Sequence, residues 1–317
     1  MMNNINGFEL HYYFSDKSHE IDAFVRNRCE AELLGIIIEA SHILEIEVSL
    51  IKDVYNEGGF RDIWKALGDN QGSIAILLTI IQIIISVAPH LNFESKELEL
   101  EEKRLAIEEK RLNIEKLKQE IENGKINSKA VNEAALAVSS NLKIIKRKSN
   151  FYSRIEEYQK VTKIGITILD EKRNPVADEV VVLRSDFYKH ILGTNRLRSE
   201  EDDKAIIEII SPVLKEGRYK WKGVYKDAPI SFEMNDHSFR DAVLIDNIPF
   251  RHGSKIVCAL VAHRELDEAG NIKVTGYSVT TVLEKIDGDT VTETIQGKKY
   301  RHAKKLSKSQ SDLFGSW

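Results

Sequence analysis

The sequence predicts an α+β protein in three parts: a small N-terminal α/β domain over residues 1–68, a helical middle, and a C-terminal antiparallel β-barrel or sandwich over 151–302. Three observations carry that reading. The run Gly72–Pro89, GSIAILLTIIQIIISVAP, has only Thr79, Gln82 and Ser86 as polar residues between Ile74 and Ala88, and no charge. The stretch Leu98–Lys118 repeats a seven-residue pattern in three copies. From Thr162 onward, short alternating segments are separated by turn sequences, which is the texture of a many-stranded antiparallel domain.

In the N-terminal domain, Phe8, Leu10, Tyr12 and Phe14 alternate with more polar neighbours and predict a strand. Asp16-Lys17-Ser18 supplies a turn and a helix cap. Ile21, Phe24, Val25, Cys29, Leu33, Ile36, Ile37 and Ala40 recur at helical spacing, giving an amphipathic helix with a broad buried face. Leu44, Ile46, Val48 and Leu50 alternate again, so a strand–helix–strand unit is expected. Asn56-Glu57-Gly58-Gly59 breaks the chain, and Phe60–Leu67 reads as a short helix with Ile63, Trp64 and Leu67 on one side.

The apolar run at 72–90 must leave water, either into a bilayer or into protein. Its uncharged, β-branched composition tilts the reading toward the bilayer. Its strictly apolar length is below the roughly 20 residues of a spanning helix. Lys and Arg flank it almost equally, so no orientation follows. Residues 93–149 are expected to form a long helical, coiled-coil region. Leu98, Leu105 and Leu112 make one stripe of the repeat, and Leu100, Ile107 and Ile114 another. Residues two apart on a helix differ by about 200° of rotation, so the stripes lie on nearly opposite faces. A dimeric zipper would need apolar steps of three and four. Two narrow faces suit a homo-oligomer in which each helix meets a neighbour on either side.

Ser128 then caps a helix that ends in the basic cluster Lys143, Lys146, Arg147, Lys148 and Arg154, interleaved with Phe151 and Tyr152. Those cations suit phosphates, in nucleic acid or in anionic lipid headgroups, and equally a solvated helix C-terminus favoured by the dipole. Strands are expected at 164–168, 180–183, 205–213, 219–225, 230–234, 256–262, 272–282 and 290–295, with a short helix over Phe239–Ile245. Residues 303–317 read as a flexible polar tail.

Composition narrows the function classes. With 46 Lys and Arg against 50 Asp and Glu, the chain is not a wholesale nucleic-acid coat, although local basic patches remain compatible. Cys29 and Cys258 are too few and too far apart for a disulfide or metal framework, and read as reduced core thiols. The N-terminus lacks the pattern of a cleaved signal peptide. No phosphate loop, G-x-G-x-x-G, HExxH, paired CxxC or G-x-S-x-G occurs. No catalytic residue, metal ligand or cofactor is expected, and a hydrolase with an unrecognised site in the β-domain has no supporting motif.

Near the end of the chain stands Gln310-Ser311-Asp312-Leu313-Phe314. It resembles the pentapeptide by which bacterial replication and repair proteins dock on the sliding clamp. The resemblance implies Gln310 as a rim contact and Leu313 and Phe314 as hydrophobic anchors, with Lys304, Lys305 and Lys308 upstream. Two readings follow. The first is a non-enzymatic, self-assembling protein anchored at the bacterial inner membrane and facing the cytoplasm, with flanking recognition domains, an architecture analogous to anti-phage defence effectors. The second is a soluble, cytoplasmic DNA replication or repair accessory protein that docks a sliding clamp and contacts nucleic acid.

Overall fold

The computed structural model describes residues 5–16, 20–52, 60–87, 109, 111–117, 119, 127–215, 217–245 and 248–314; the side chains at 60 and 307–314 lie outside that description. The chain combines helices and sheets in two compact units, Met1–Asn195 with Leu266–Asn271, and Arg196–Glu265 with Ile272–Trp317.

The first unit is built on a five-stranded sheet of order β2-β3-β1-β4-β5. Its strands are β1 (Ile5–Phe14), β2 (Ser49–Lys52), β3 (Phe60–Leu67), β4 (Val161–Asp170) and β5 (Val180–Leu183). Every neighbouring pair is antiparallel. The sheet therefore recruits β4 and β5, which the sequence reading assigns to the C-terminal domain. Phe60–Leu67 is a strand and not the expected helix. FRDIWKAL also fits a period of two, and cross-strand packing decides: Trp64 stacks on Phe8 with ring centroids 5.1 Å apart. Buried Asp62 is held by Arg26 of α1 (Ala23–Leu44) and by Lys52. α1 persists to Leu44, so the second strand begins only at Ser49. β3 lies between β1 and β2, which run in the same direction without pairing.

The apolar run forms α2 (Gln71–Ser86), capped by the Asn70 side chain. No helix among the described residues is long and apolar enough to cross a membrane. Eight of its Ile and Leu side chains are at most 4% exposed. They pack against the sheet on one side, and against α1 and α3 (Ser128–Ser139) on the other. Its three polar groups are satisfied inside the unit: Thr79 Oγ1 donates to Ala75 O at 2.9 Å, Gln82 Nε2 to Ile166 O at 3.0 Å and Ser86 Oγ to Gln82 O at 2.8 Å. This is the sealed alternative of the sequence reading, realised within one chain. α4 (Leu142–Glu157) lies along α1 and closes the C-terminal end of α2. Tyr152 Oη donates to Ile85 O at 2.7 Å, and Lys148 Nζ donates to Val87 O.

The second unit contains β6 (Arg196–Ser211), β7 (Trp221–Tyr225), β8 (Ala228–Met234), α5 (His237–Ile245), β9 (Lys255–Leu266), β10 (Ile272–Asp287), β11 (Thr290–Glu293) and α6 (Ile295–Phe314). Its sheet runs β11-β10-β8-β7-β6-β9, and β9 also pairs with β10, closing a five-stranded barrel. The β8–β10 pair is parallel, whereas a wholly antiparallel domain was expected. Trp221, Phe232, Phe239 and Cys258 fill the interior, and burial holds both cysteine thiols up. Counted along the barrel, the strands close as 1-2-3-5-4, with a helix between the third and fourth. That is the Greek-key connectivity of an OB-type barrel. α6 continues to Phe314, so most of the expected tail is helical.

Candidate functional site

In the barrel, the loop between the first two strands and the strand that follows hold a cluster of exposed cations. Lys215, Arg218, Tyr219, Lys220 and Lys222 are all exposed, within eight residues of chain. Tyr219 keeps 56% of its surface in water. Gly217 has φ +137°, and a Cβ there would lie 2.7 Å from the Tyr219 ring, so the ring's seat against the loop requires glycine. Lys220 Nζ stands 3.8 Å from Glu233 on β8 and reaches toward Gly276 on β10. At the far end of β7, Lys226 and Asp227 both take positive φ, closing a tight hairpin to β8. There Tyr225 meets Tyr277 edge to face at 6.2 Å, and Lys226 lies 4.9 Å from the Tyr225 ring. The Tyr225 hydroxyl donates to Asp202 at 2.7 Å, which lowers the pKa of that carboxyl.

The surface thus offers cations and π-faces along β7 and its flanking loops. That combination can neutralise phosphates and stack bases. Charge is also divided unevenly: the barrel unit carries 20 Lys and Arg against 17 Asp and Glu, the first unit 26 against 33. Sequence reading placed these residues only in a strand over 219–225 and did not single out the loop. Trp221 is core, and the signal lay in Lys215, Arg218, Lys220 and Lys222 around the exposed Tyr219.

The residues singled out from sequence are placed differently. Lys146 and Lys148 are buried at 5% and 3% exposure. Lys146 pairs with Asn195 and Glu268, Lys143 with Glu39, Arg147 with Glu32 and Arg154 with Glu157. The basic cluster is therefore knitted into the first unit and forms no open patch; Phe151 and Tyr152 are core. In the repeat, Leu112 is 60% exposed while Ile114 packs on the core. Leu98, Leu100, Leu105 and Ile107 lie outside the described residues. Gln310, Leu313 and Phe314 fall in the final turns of α6, where only the backbone is described.

Two other constellations are chemically weaker. Ser278 Oγ lies 3.0 Å from His263 Nε2, and Ser199 Oγ lies 3.3 Å from its Nδ1. Among the described residues no carboxylate orients that imidazole, and Ser278 is buried in a strand, which is not the exposed nucleophile that acyl transfer needs. A cavity of about 880 Å³ lies between α6 and the start of β6, lined by residues that include Asp202, Asp203, Tyr300 and Lys304. Among the described residues no cluster of three His, Cys, Asp or Glu could hold a metal ion.

No family model, curated protein or solved structure matches this chain. The class of the second unit rests on its connectivity alone: a closed five-stranded barrel of OB type in an α+β protein.

Proposed function

We propose that this chain is a non-enzymatic, nucleic-acid-binding accessory protein, whose barrel holds a single strand across β7 and its flanking loops. The observation that supports it is the coincidence of OB-type connectivity with an exposed basic and aromatic stretch, Lys215 to Lys222, on the side where such barrels take oligonucleotides. Lys215, Arg218, Lys220 and Lys222 follow the phosphates, and Tyr219 stacks on a base. A single strand suits this surface better than a duplex, because its bases are free to stack.

The test is fluorescence anisotropy of a labelled oligothymidylate of about 15 nucleotides, titrated at several salt concentrations. Replacing Tyr219, Lys220 and Lys222 together by Ala should weaken binding by roughly 10-fold or more and flatten the salt dependence. Unaltered affinity in that variant, or no binding by the wild type at low salt, overturns the proposal.

A second element of the reading is docking to a sliding clamp through Gln310, Leu313 and Phe314, supported by the pentapeptide and its place at the end of α6. Leu313→Ala with Phe314→Ala should abolish co-purification with the clamp and leave oligonucleotide binding intact. Undiminished co-purification removes this element alone.

A further inference from the structure

The apolar face of the first unit's sheet, with Phe8, Leu10, Tyr12 and Trp64, is covered by helices. Strand registers place Ile51, Leu67, Val181 and Leu183 on the opposite face. These four are 52, 40, 39 and 51% exposed. These four aliphatic side chains form two exposed pairs on one face, apolar surface that a second copy can cover.

Between them runs a polar network. Glu179 Oε2 accepts from the Tyr13 hydroxyl at 2.7 Å, and its Oε1 lies 3.5 Å from His11 Nδ1. A Cβ at Gly165 would lie 1.8 Å from that carboxylate, so glycine lets Glu179 lie flat on β4. Arg61 Nη1 stands 3.2 Å from Glu9, and Lys163 Nζ sits 4.0 Å from the Tyr13 ring centre. Glu9 and His11 are each 8% exposed. Because Glu9 and Glu179 already have partners within the chain, a flat surface can cover them without stranding a carboxylate.

The geometry of the face is self-complementary. β1 is the middle strand of five. Ile51 and Leu67 lie on the β3 side near the start of β1; Val181 and Leu183 lie on the β5 side, level with His11 and Tyr13. The two apolar pairs thus occupy opposite corners. A two-fold axis in the plane of the face, along the other diagonal, lays each corner on its counterpart in a second copy. The same rotation sets Lys65 of one copy toward the Glu179 side of the other, while Arg61, held by Glu9, lies close to the axis. Five strands about 4.8 Å apart, averaging about seven residues of roughly 3.3 Å, give a footprint on the order of 600 Å² per copy, the scale of a modest dimer interface.

We infer that this open sheet face is a dimerisation surface for a second copy of the same chain, an isologous pair in which the Ile51–Leu67 corner meets the Val181–Leu183 corner. The inference is independent of nucleic-acid binding by the barrel. Sedimentation equilibrium of the full chain tests it: the mass should approach twice the 36.2 kDa of one chain as concentration rises. Val181→Asp with Leu183→Asp should weaken association at least 10-fold while the thermal transition stays cooperative. Leu214→Asp, at an exposed position in the other unit, should leave the mass unchanged. Ile51→Cys with Val181→Cys should give a covalent dimer under mild oxidation, which reports the diagonal pairing directly. A wild type that stays monomeric overturns the inference. So does a dimer that survives Val181→Asp/Leu183→Asp, and loss on Leu112→Asp would then assign association to the repeat helix.

Discussion

α2 and α6 are the two helices whose sequences point away from a folded domain, one toward a bilayer and the other toward solvent. Both fold back onto their own unit, by opposite means. α2 carries no charge and is enclosed on all sides, with eight Ile and Leu side chains essentially removed from water. Each contributes about 1.5–3 kcal/mol of burial. α6 is basic and attaches mainly through polar groups on one side. Arg301 reaches Glu284 and Glu293, while Tyr300 and Lys304 both reach Asp203. Exposed pairs of that kind contribute about 0–1 kcal/mol each. Close approach helps: a Cβ at Gly297 would lie 2.4 Å from Leu283 O, so glycine lets the first turn of α6 rest on β10. Hydropathy states that a segment must leave water, but not whose interior receives it. A polar sequence bounds how much a segment can bury, but not whether it docks.

The harshest test of this contrast is Ile80→Asp. Ile80 is 0% exposed, with no partner for a carboxylate nearby in the α2 core. The loss should exceed about 4 kcal/mol, enough to unfold the first unit. Hydrogen exchange should then accelerate across β1, β4 and α4 while β7 to β9 keep their protection. A membrane-inserted α2 predicts the reverse: the variant would gain detergent-free solubility and melt as before.

A second test uses pH at the C-terminal end of α2. Lys148 donates to Val87 O from a site that is 3% exposed, and burial pushes its pKa down to about 7. The folded protein therefore binds this proton more weakly than the unfolded chain does. Between pH 7 and the usual lysine value the unfolded state holds more protons, so first-unit stability rises with pH across that window and falls as pH drops toward 7. His190, stacked on Tyr152 at 4.1 Å, is pushed down to about 4, first by burial and then by Lys148. Its contribution is complete above about 6.5 and is lost as pH falls toward 4. Unfolding free energies from urea titrations at pH 6 to 10 should climb in the wild type, by a few kcal/mol at most, and level off in Lys148→Met. Parallel slopes in the two proteins would show that Lys148 is not the titrating group.

Much of the barrel was legible. β7, β8, α5, β9, β10 and β11 fall where alternation and turn residues place them, because each is a local pattern with one apolar side. What failed was non-local. β1 pairs with β4 across some 150 residues of chain, and no periodicity announces that partner. Phe60–Leu67 fits both a helical and a strand stripe, and only the stacking of Trp64 on Phe8 separates them. The parallel β8–β10 pair, which makes the connectivity diagnostic, depends on closure and leaves no mark in either strand. The basic cluster at 143–154 misled for a related reason. Sequence gives its charges, but Glu32, Glu39 and Glu268, which pair with it, come from elsewhere in the chain.

The gentlest test falls on α6. Tyr300→Phe removes one hydroxyl from Asp203 and leaves the ring. A hydrogen bond to a carboxylate contributes about 1.5–3 kcal/mol at best, and its partial exposure here places the expected loss near 1 kcal/mol. That is too little to melt the barrel but enough to multiply opening of the helix about 5-fold, since 1.4 kcal/mol is a factor of 10. Amide exchange over residues 298–306 should quicken by that factor while β7, β8 and β9 hold theirs. If Gln310–Phe314 engages a clamp in an extended form, easier opening of α6 should also tighten that engagement, because less helix has to be undone. Equal exchange in variant and wild type would mean that apolar and backbone contacts at the start of α6, around Gly297, hold it without the tyrosine, and the contrast with α2 would narrow accordingly.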